Sequence, residues 1–246
     1  MAIPLEDSLF YPESDGEPMA ETEVHLLEMF YAVEALRQRF AAAADVYVGG
    51  NLFLYYEEGH PKAVVAPDAF VVKGVPKLPP RRKYLLWEEG AAPCFVLEIT
   101  SDSTRRKDTF EKKAVYEKLG IEEYFLFDPL GDYLEPPLQG FHLVRGRYRP
   151  LQPQANGTLT SVALGLAFQP EGTHVRLVDS VSGEPLLRYE EEAVLRRSAE
   201  SLAQAEAARA DHETARADRE AEARRLAEER IRALEAELAR LTSRNR

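Results

Sequence analysis

The chain has 246 residues, 45% of them hydrophobic and 30% charged, with a net charge of -11; that suffices for one domain of ordinary size plus an appendage, or for two small ones. Its single cysteine, Cys94, excludes an internal disulfide, a cysteine-based zinc site and a disulfide-rich secreted scaffold, and fits a reducing, cytoplasmic compartment. The negative balance excludes indiscriminate nucleic-acid binding, which depends on Lys and Arg neutralising phosphates; no run approaches the ~18 apolar residues of a membrane span, and the acidic start MAIPLEDSLFYPESDGEPMAETE is not a secretory signal.

Residues 1–20 read as an extended lead-in. From Glu21 to about Phe40 the pattern is helical, because Leu26, Met29, Phe30, Val33, Leu36 and Phe40 recur at spacings of three and four. Thr22 can cap this helix, with His25 where a capping box has Glu or Gln. Alternating VYVGGNLFLYY (46–56) predicts a strand, and after the turn-like EEGHPK so does AVVAPDAFVV (63–72). A loop rich in Pro and basic residues, KGVPKLPPRRKY, leads to a third strand, CFVLEIT (94–100). DTFEKKAVYEKL (108–119) predicts a helix ended by Gly120, and EYFLFDP (123–129) a buried strand stopped by Pro129. The centre of the domain is thus helix, three strands, helix, strand, an α/β arrangement. Residues 133–188, with runs such as FHLVRGRYRPL and HVRLVDSVSGEPLL between glycines, predict a β-rich extension built of hairpins.

Composition changes near Tyr189. Residues 190–246 contain no Gly, Pro, Phe, Tyr or Trp and are mostly Ala, Glu, Arg and Leu, which predicts one long charged helix. They hold 12 Lys+Arg and 14 Asp+Glu; subtracted from 31 and 42 for the whole chain, these leave 19 and 28, a net of -9, for residues 1–189. Ile231, Leu234, Leu238 and Leu241 follow the 3-4-3 spacing of a coiled-coil seam, but Ala205, Arg209, His212, Arg216 and Arg219 make its middle poor. Two readings stand: a weak coiled coil for self-association, as in a dimer, or a solvated single helix held by Glu–Arg pairs, each worth about 0.2–0.5 kcal/mol.

Two carboxylates, Asp68 and Glu98, sit in apolar runs, where a charge is expensive without a cationic partner. Side chains alternate along a strand, so Val96, Glu98 and Thr100 share a face. If the 63–72 and 94–100 strands are neighbours, Asp68 and Glu98 can meet and offer the hard oxygen ligands that Mg²⁺ prefers. On the following helix Asp108, Lys112, Tyr116 and Leu119 fall close to one face, which directs Lys112 toward the sheet and leaves Lys113 to solvent. A lysine there can orient water and offset charge on a phosphorane-like transition state. Singly, each residue also fits a structural role: a turn, a core ion pair, a snorkelling lysine. Ser101 and Asp102 fit a capped turn. No P-loop, GxGxxG or Ser-His-Asp signature is present, so no nucleotide cofactor is expected.

The segments AETEVH, DVYVGGNLFLYYEEG, VAPDAFVV, APCFVLEITSDSTRRKD, KKAVYEKLGIEEYFLFDP and LQGFHL resemble the Uma-two family of the PD-(D/E)XK nuclease superfamily, a likeness that extends through SVALGLAF and VDSVSGEPLL into the tail. The resemblance implies a restriction-endonuclease-like core, a mixed sheet flanked by helices, over residues 21–189. It also implies a phosphodiesterase site with Asp68 as first acid, Glu98 as second, and Mg²⁺ or Mn²⁺ between them. Thr100 stands where the superfamily pattern has Lys, and Lys112 takes that place from the next helix. His25 matches a family histidine, which implies contact with phosphate or a metal-bound water; a helix-face His is also often structural. Arg105, Arg106 and Lys107, and a second cluster Arg81, Arg82 and Lys83, are candidate phosphate contacts; solvated loops would look the same. The expected function is a metal-dependent DNA endonuclease. The rival expectation is a non-catalytic nuclease-fold protein for binding or assembly, with the tail as its interaction device.

Overall fold

Thr22 starts the first helix, α1 (Glu23–Arg39): its hydroxyl accepts the backbone N–H of His25 at 3.1 Å, satisfying one of the donors left open at a helix start. The structure, a computed structural model, describes residues 10–14, 16, 22–101, 104 and 106–244, with the side chains at 239 and 241–244 excepted. Most of the lead-in, Asp102, Arg105 and the side chain of Leu241 therefore lie outside the described residues. The buried face of α1 runs through His25, Glu28, Met29, Ala32, Val33 and Leu36. Phe30, expected in that stripe, is half exposed.

The 46–56 run is two strands rather than one: β1 (Val46–Gly49) and β2 (Leu54–Tyr55). The break falls at Gly49-Gly50-Asn51, where Asn51 has φ 45 and Gly50 passes so close to α1 that a Cβ on it would lie 2.3 Å from Val33 Cγ2 and 3.0 Å from the Asp68 carbonyl oxygen. The 63–72 run divides likewise into β3 (Val64–Val65) and β4 (Ala69–Lys73), with Pro67 and Asp68 between them. Two residues of β2 pair with β3 and with β5 (Tyr84–Leu85) in a small separate sheet.

The main sheet takes the order β1-β4-β6-β7-β8-β9, with β6 (Phe95–Ile99), β7 (Glu123–Phe127), β8 (Leu138–Val144) and β9 (Arg147–Pro150). All its pairs are antiparallel except β6–β7. That parallel pair requires a crossover, supplied by a π-helical turn (Lys107–Lys112) running into a helix (Lys113–Leu119). With the short helix Leu86–Glu89 as α2, the crossover helix is α3; Gly120 ends it in the left-handed conformation, φ 75. Alternation along β6 sorts the two faces: Phe95, Leu97 and Ile99 pack with α1, Val96 with Tyr116 of α3. The β-rich extension is the antiparallel sheet β10 (Leu159–Ser161), β11 (Leu166–Glu171) and β12 (His174–Asp179). Phe168, Val175 and Leu177 add to the α1-side core. Mixed sheets and helices on both faces make this an α/β protein.

The chain divides into two units, Met1–Arg188 and Tyr189–Arg246. The second is one helix, α4 (Tyr189–Arg244), of 56 residues. From Val194 to Leu238 every residue is exposed. Ion pairs run along it at i,i+4, namely Arg196–Glu200, Arg216–Glu220, Arg224–Glu228 and Arg225–Glu229. In each the Arg precedes the Glu, the less favourable orientation of such a pair, so these contacts alone hold the helix weakly.

Candidate active site

The register Ala69↔Leu97 and Phe70↔Val96 between β4 and β6, continued by one step, sets Asp68 opposite Glu98. Asp68 stands just before β4 rather than inside a strand, on a bend tied down where Asn51 N–H donates to the Pro67 carbonyl at 2.9 Å. Its carboxylate bridges two elements: Oδ2 accepts the Ile99 N–H at 2.7 Å, and Oδ1 lies 3.2 Å from His25 Nε2. His25, on α1, is buried and fixes the orientation of the acid from the far side of the sheet.

Glu98 is fully buried on the α3 face. Its Oε2 accepts from Lys112 Nζ at 2.8 Å and its Oε1 from the Tyr116 hydroxyl at 2.5 Å. Lys112 Nζ also lies 3.0 Å from Asp108 Oδ1 and 3.4 Å from the Ala66 carbonyl. Lys112 and Tyr116 thus reach one carboxylate, and Asp108 reaches Lys112, from successive turns of one helical segment, through the four-residue spacing. That spacing made Lys112 legible. The role of Tyr116 was not, because a tyrosine at a core-facing helix position is ordinary packing.

Charge explains the electrostatics. Three carboxylates (Asp68, Glu98, Asp108) gather about one ammonium. Burial pushes the Glu98 carboxyl well above its ordinary value; Lys112 opposes this, while Asp108 and Asp68 add to it. Burial resists the charge on Lys112, but the attraction of Glu98, Asp108 and Asp68 outweighs it and holds the ammonium above its ordinary range. Burial, then the Glu98 charge, raises the Tyr116 hydroxyl as well, which keeps it a hydrogen-bond donor.

Other sequence candidates fall elsewhere. Thr100 is buried and its N–H donates to the Phe127 carbonyl at 2.8 Å. Ser101 closes a turn with Thr104, their hydroxyls 3.0 Å apart. Arg106 and Lys107 are exposed, with no ion-pair partner among the described residues. The 81–83 cluster is not a free basic patch. Arg81 forms a two-pronged pair with Glu89 (2.5 and 2.7 Å), donates to the Pro76 carbonyl and lies 4.2 Å over the Tyr47 ring. Lys83 donates to the Tyr11 carbonyl, and Arg82, largely exposed, pairs with Glu13. Lys83 and Arg82 fasten residues 11–13, beside Tyr55 and Trp87, to the small sheet. Lys113, expected in solvent, lies 3.4 Å from the Phe141 ring centroid, and burial lowers its value.

Two carboxylates with hard oxygens and a surplus of negative charge fit a divalent ion such as Mg²⁺. Each carboxylate oxygen of Asp68 and Glu98 already has one partner, and each has a second lone pair to offer. Among the described residues no three His, Cys, Asp or Glu side chains are set to hold an ion, so Asp68 and Glu98 would be its side-chain ligands, with carbonyl and water oxygens completing the shell. Among the same residues no helix is long and apolar enough to cross a membrane.

Residues 13–175 match the Uma2 family, described as "Putative restriction endonuclease". The chain belongs to the Uma2 family. The match spans α1, the main sheet and most of the β-rich extension, and so covers every residue of the Asp68–Glu98–Lys112 constellation. No curated protein matches the chain. Among solved structures it is similar to "a putative nuclease belonging to DUF820 from Anabaena variabilis ATCC 29413", with 14% identity over 63% of this chain and 86% of that one and a TM-score of 0.43. At that score the likeness adds nothing to the geometry of the Uma2 domain described above.

Proposed function

We propose that this Uma2 domain is a divalent-metal-dependent DNA endonuclease that hydrolyses phosphodiester bonds with Asp68, Glu98 and Lys112. The observation that carries the reading is that Glu98 and Asp108 close on the Lys112 ammonium at 2.8 and 3.0 Å while Asp68 stands opposite Glu98 at the end of the β4–β6 pair. Asp68 and Glu98 hold the ion, which supplies charge neutralisation and polarisation of the scissile phosphate. His25 and the Ile99 N–H orient Asp68; Tyr116 orients Glu98. Lys112 serves as an electrostatic partner and hydrogen-bond donor to the phosphate or to the attacking water. Its carboxylate neighbours favour the charged ammonium, the form that donates. About a fifth of its side chain is exposed, so it also faces the side from which substrate arrives.

A titration of Mg²⁺ or Mn²⁺, followed by calorimetry and thermal unfolding, tests the site. Wild type is expected to bind and to be stabilised by about 2.7 kcal/mol at a hundredfold excess over Kd, whereas Asp68→Ala should show neither effect. A wild type indifferent to both ions would sink the reading. It would favour the second one, a non-catalytic binding or assembly protein, for which the engagement of all four carboxylate oxygens within the fold already speaks.

Assembly is a separate question. We propose self-association through α4, where Ile231, Leu234 and Leu238 are all half or more exposed. A chain ending at Tyr189 is expected to remain folded, since among the described residues both core clusters are built from residues before Tyr189, and to have a lower association state by light scattering. Equal association states for the two chains would exclude the tail as the assembly device.

A further inference from the structure

The turn that carries Lys112 has a second, outward face. Asp108 and Lys112 point into the sheet, while Arg106, Lys107, Phe110 and Glu111 are exposed. Phe110 is 69% exposed, although it sits two residues before Lys112. A ring this exposed contributes little to the fold, and its place beside Lys112, between two cations, leaves it available to a partner. Its neighbours on the turn, Arg106 at four residues and Lys107 at three, are exposed cations with no ion-pair partner among the described residues. The turn's place in the chain fixes which end of the sheet it occupies. Strand β6 ends at Ile99, beside Asp68, and only Thr100 to Arg106 separate it from the turn. The outward face therefore borders the approach to Lys112.

Resting on the endonuclease reading of that site, we propose that Phe110 wedges into a base step of duplex DNA, partly unstacking it, with Arg106 and Lys107 holding the flanking phosphates. The chemistry favours a nucleic acid over a protein partner: cations without carboxylate partners pair with phosphates, and a base step opened by an apolar wedge offers its π-face to the ring. On a domain of net charge -9 these few cations confine the duplex to one place, because the acidic remainder repels it.

The test uses the full chain and a labelled short duplex, with Ca²⁺ in place of Mg²⁺, over a series of salt concentrations. Phe110→Ala is expected to weaken binding roughly 5- to 150-fold, the range for loss of one base–aromatic stack, and to leave the salt dependence unchanged. Phe110→Trp should keep the affinity, and its added indole should be quenched by duplex, against the background of Trp87 in wild type. Replacing Arg106 and Lys107 together by Gln should lower the salt slope by about two. Wild-type affinity in Phe110→Ala, or an indole emission that duplex does not alter, overturns the stacking proposal. If wild type nevertheless cleaves duplex in Mg²⁺, the endonuclease reading survives that result; if wild type neither binds nor cleaves duplex, both fail.

Discussion

Lys112→Met is expected to destabilise the metal-free protein by about 3–5 kcal/mol, the range for removing one partner of a buried ion pair. At about 2–4 °C per kcal/mol for a domain of this size, the midpoint should fall by roughly 6–20 °C. The loss arises because Glu98 and Asp108, both buried, are left without their cation. Acid should narrow the deficit, since a Glu98 deprived of Lys112 can take up a proton. Denaturant unfolding of both proteins at pH 5 and pH 8 measures this. Equal stability at both values would mean that Lys112 is not the cation on which the cluster depends.

Glu98→Gln is expected to act in opposite directions on activity and stability. Cleavage of plasmid DNA should fall on the order of 10²–10³-fold or more, as for removal of one preorganised electrostatic partner. Metal-free stability at pH 8 should rise by on the order of 1 kcal/mol, because the repulsion from Asp68 and Asp108 is relieved while Lys112 keeps Asp108. The sign follows from the direction of the shift. The Glu98 carboxyl binds its proton more tightly in the fold than in the unfolded chain, whose value is near the ordinary 4.5. Its favourable contribution is full below that value and is lost as pH rises through the higher folded one. Wild type should therefore weaken from acid toward neutral pH, and Glu98→Gln should lack that part of the slope. Undiminished cleavage would remove Glu98 from the site.

The larger elements were legible because their signals are local. The α1 stripe, the Thr22 cap, the apolar runs of β4, β6 and β7 and the glycine that ends α3 each follow from spacing or from one residue's conformational preference. What escaped depends on distant partners. Strands of two residues, such as β2 and β5, carry no periodicity, and their pairing is set by tertiary contact. Asp68 reads as a strand residue until the Gly50–Asn51 bend pulls the backbone before it aside. The triplet Arg81-Arg82-Lys83 reads as a phosphate patch because Glu89, Glu13 and the Tyr11 carbonyl are not its sequence neighbours. Within the candidate site, the acid–acid–lysine set is visible as residue types in order. Tyr116 and His25 gain their roles only when the helices are laid on the two faces of the sheet.

The π-helical turn at Lys107–Lys112 gives α3 an uneven stiffness along its length. Its hydrogen bonds span one residue more than those of the α-helix that follows, whereas Lys113–Leu119 is locked by Tyr116 in the core and by the Gly120 cap. Amide hydrogens of the turn should therefore exchange through local opening well before those after Lys113. Lys112 lies at the seam between the yielding half and the firm one. Its backbone is held by the firm side, and the turn before it is pinned to the sheet at one point, where the Asp108 carbonyl accepts the Tyr124 hydroxyl at 2.7 Å. Opening of the turn is therefore expected to begin on either side of Asp108 rather than at it.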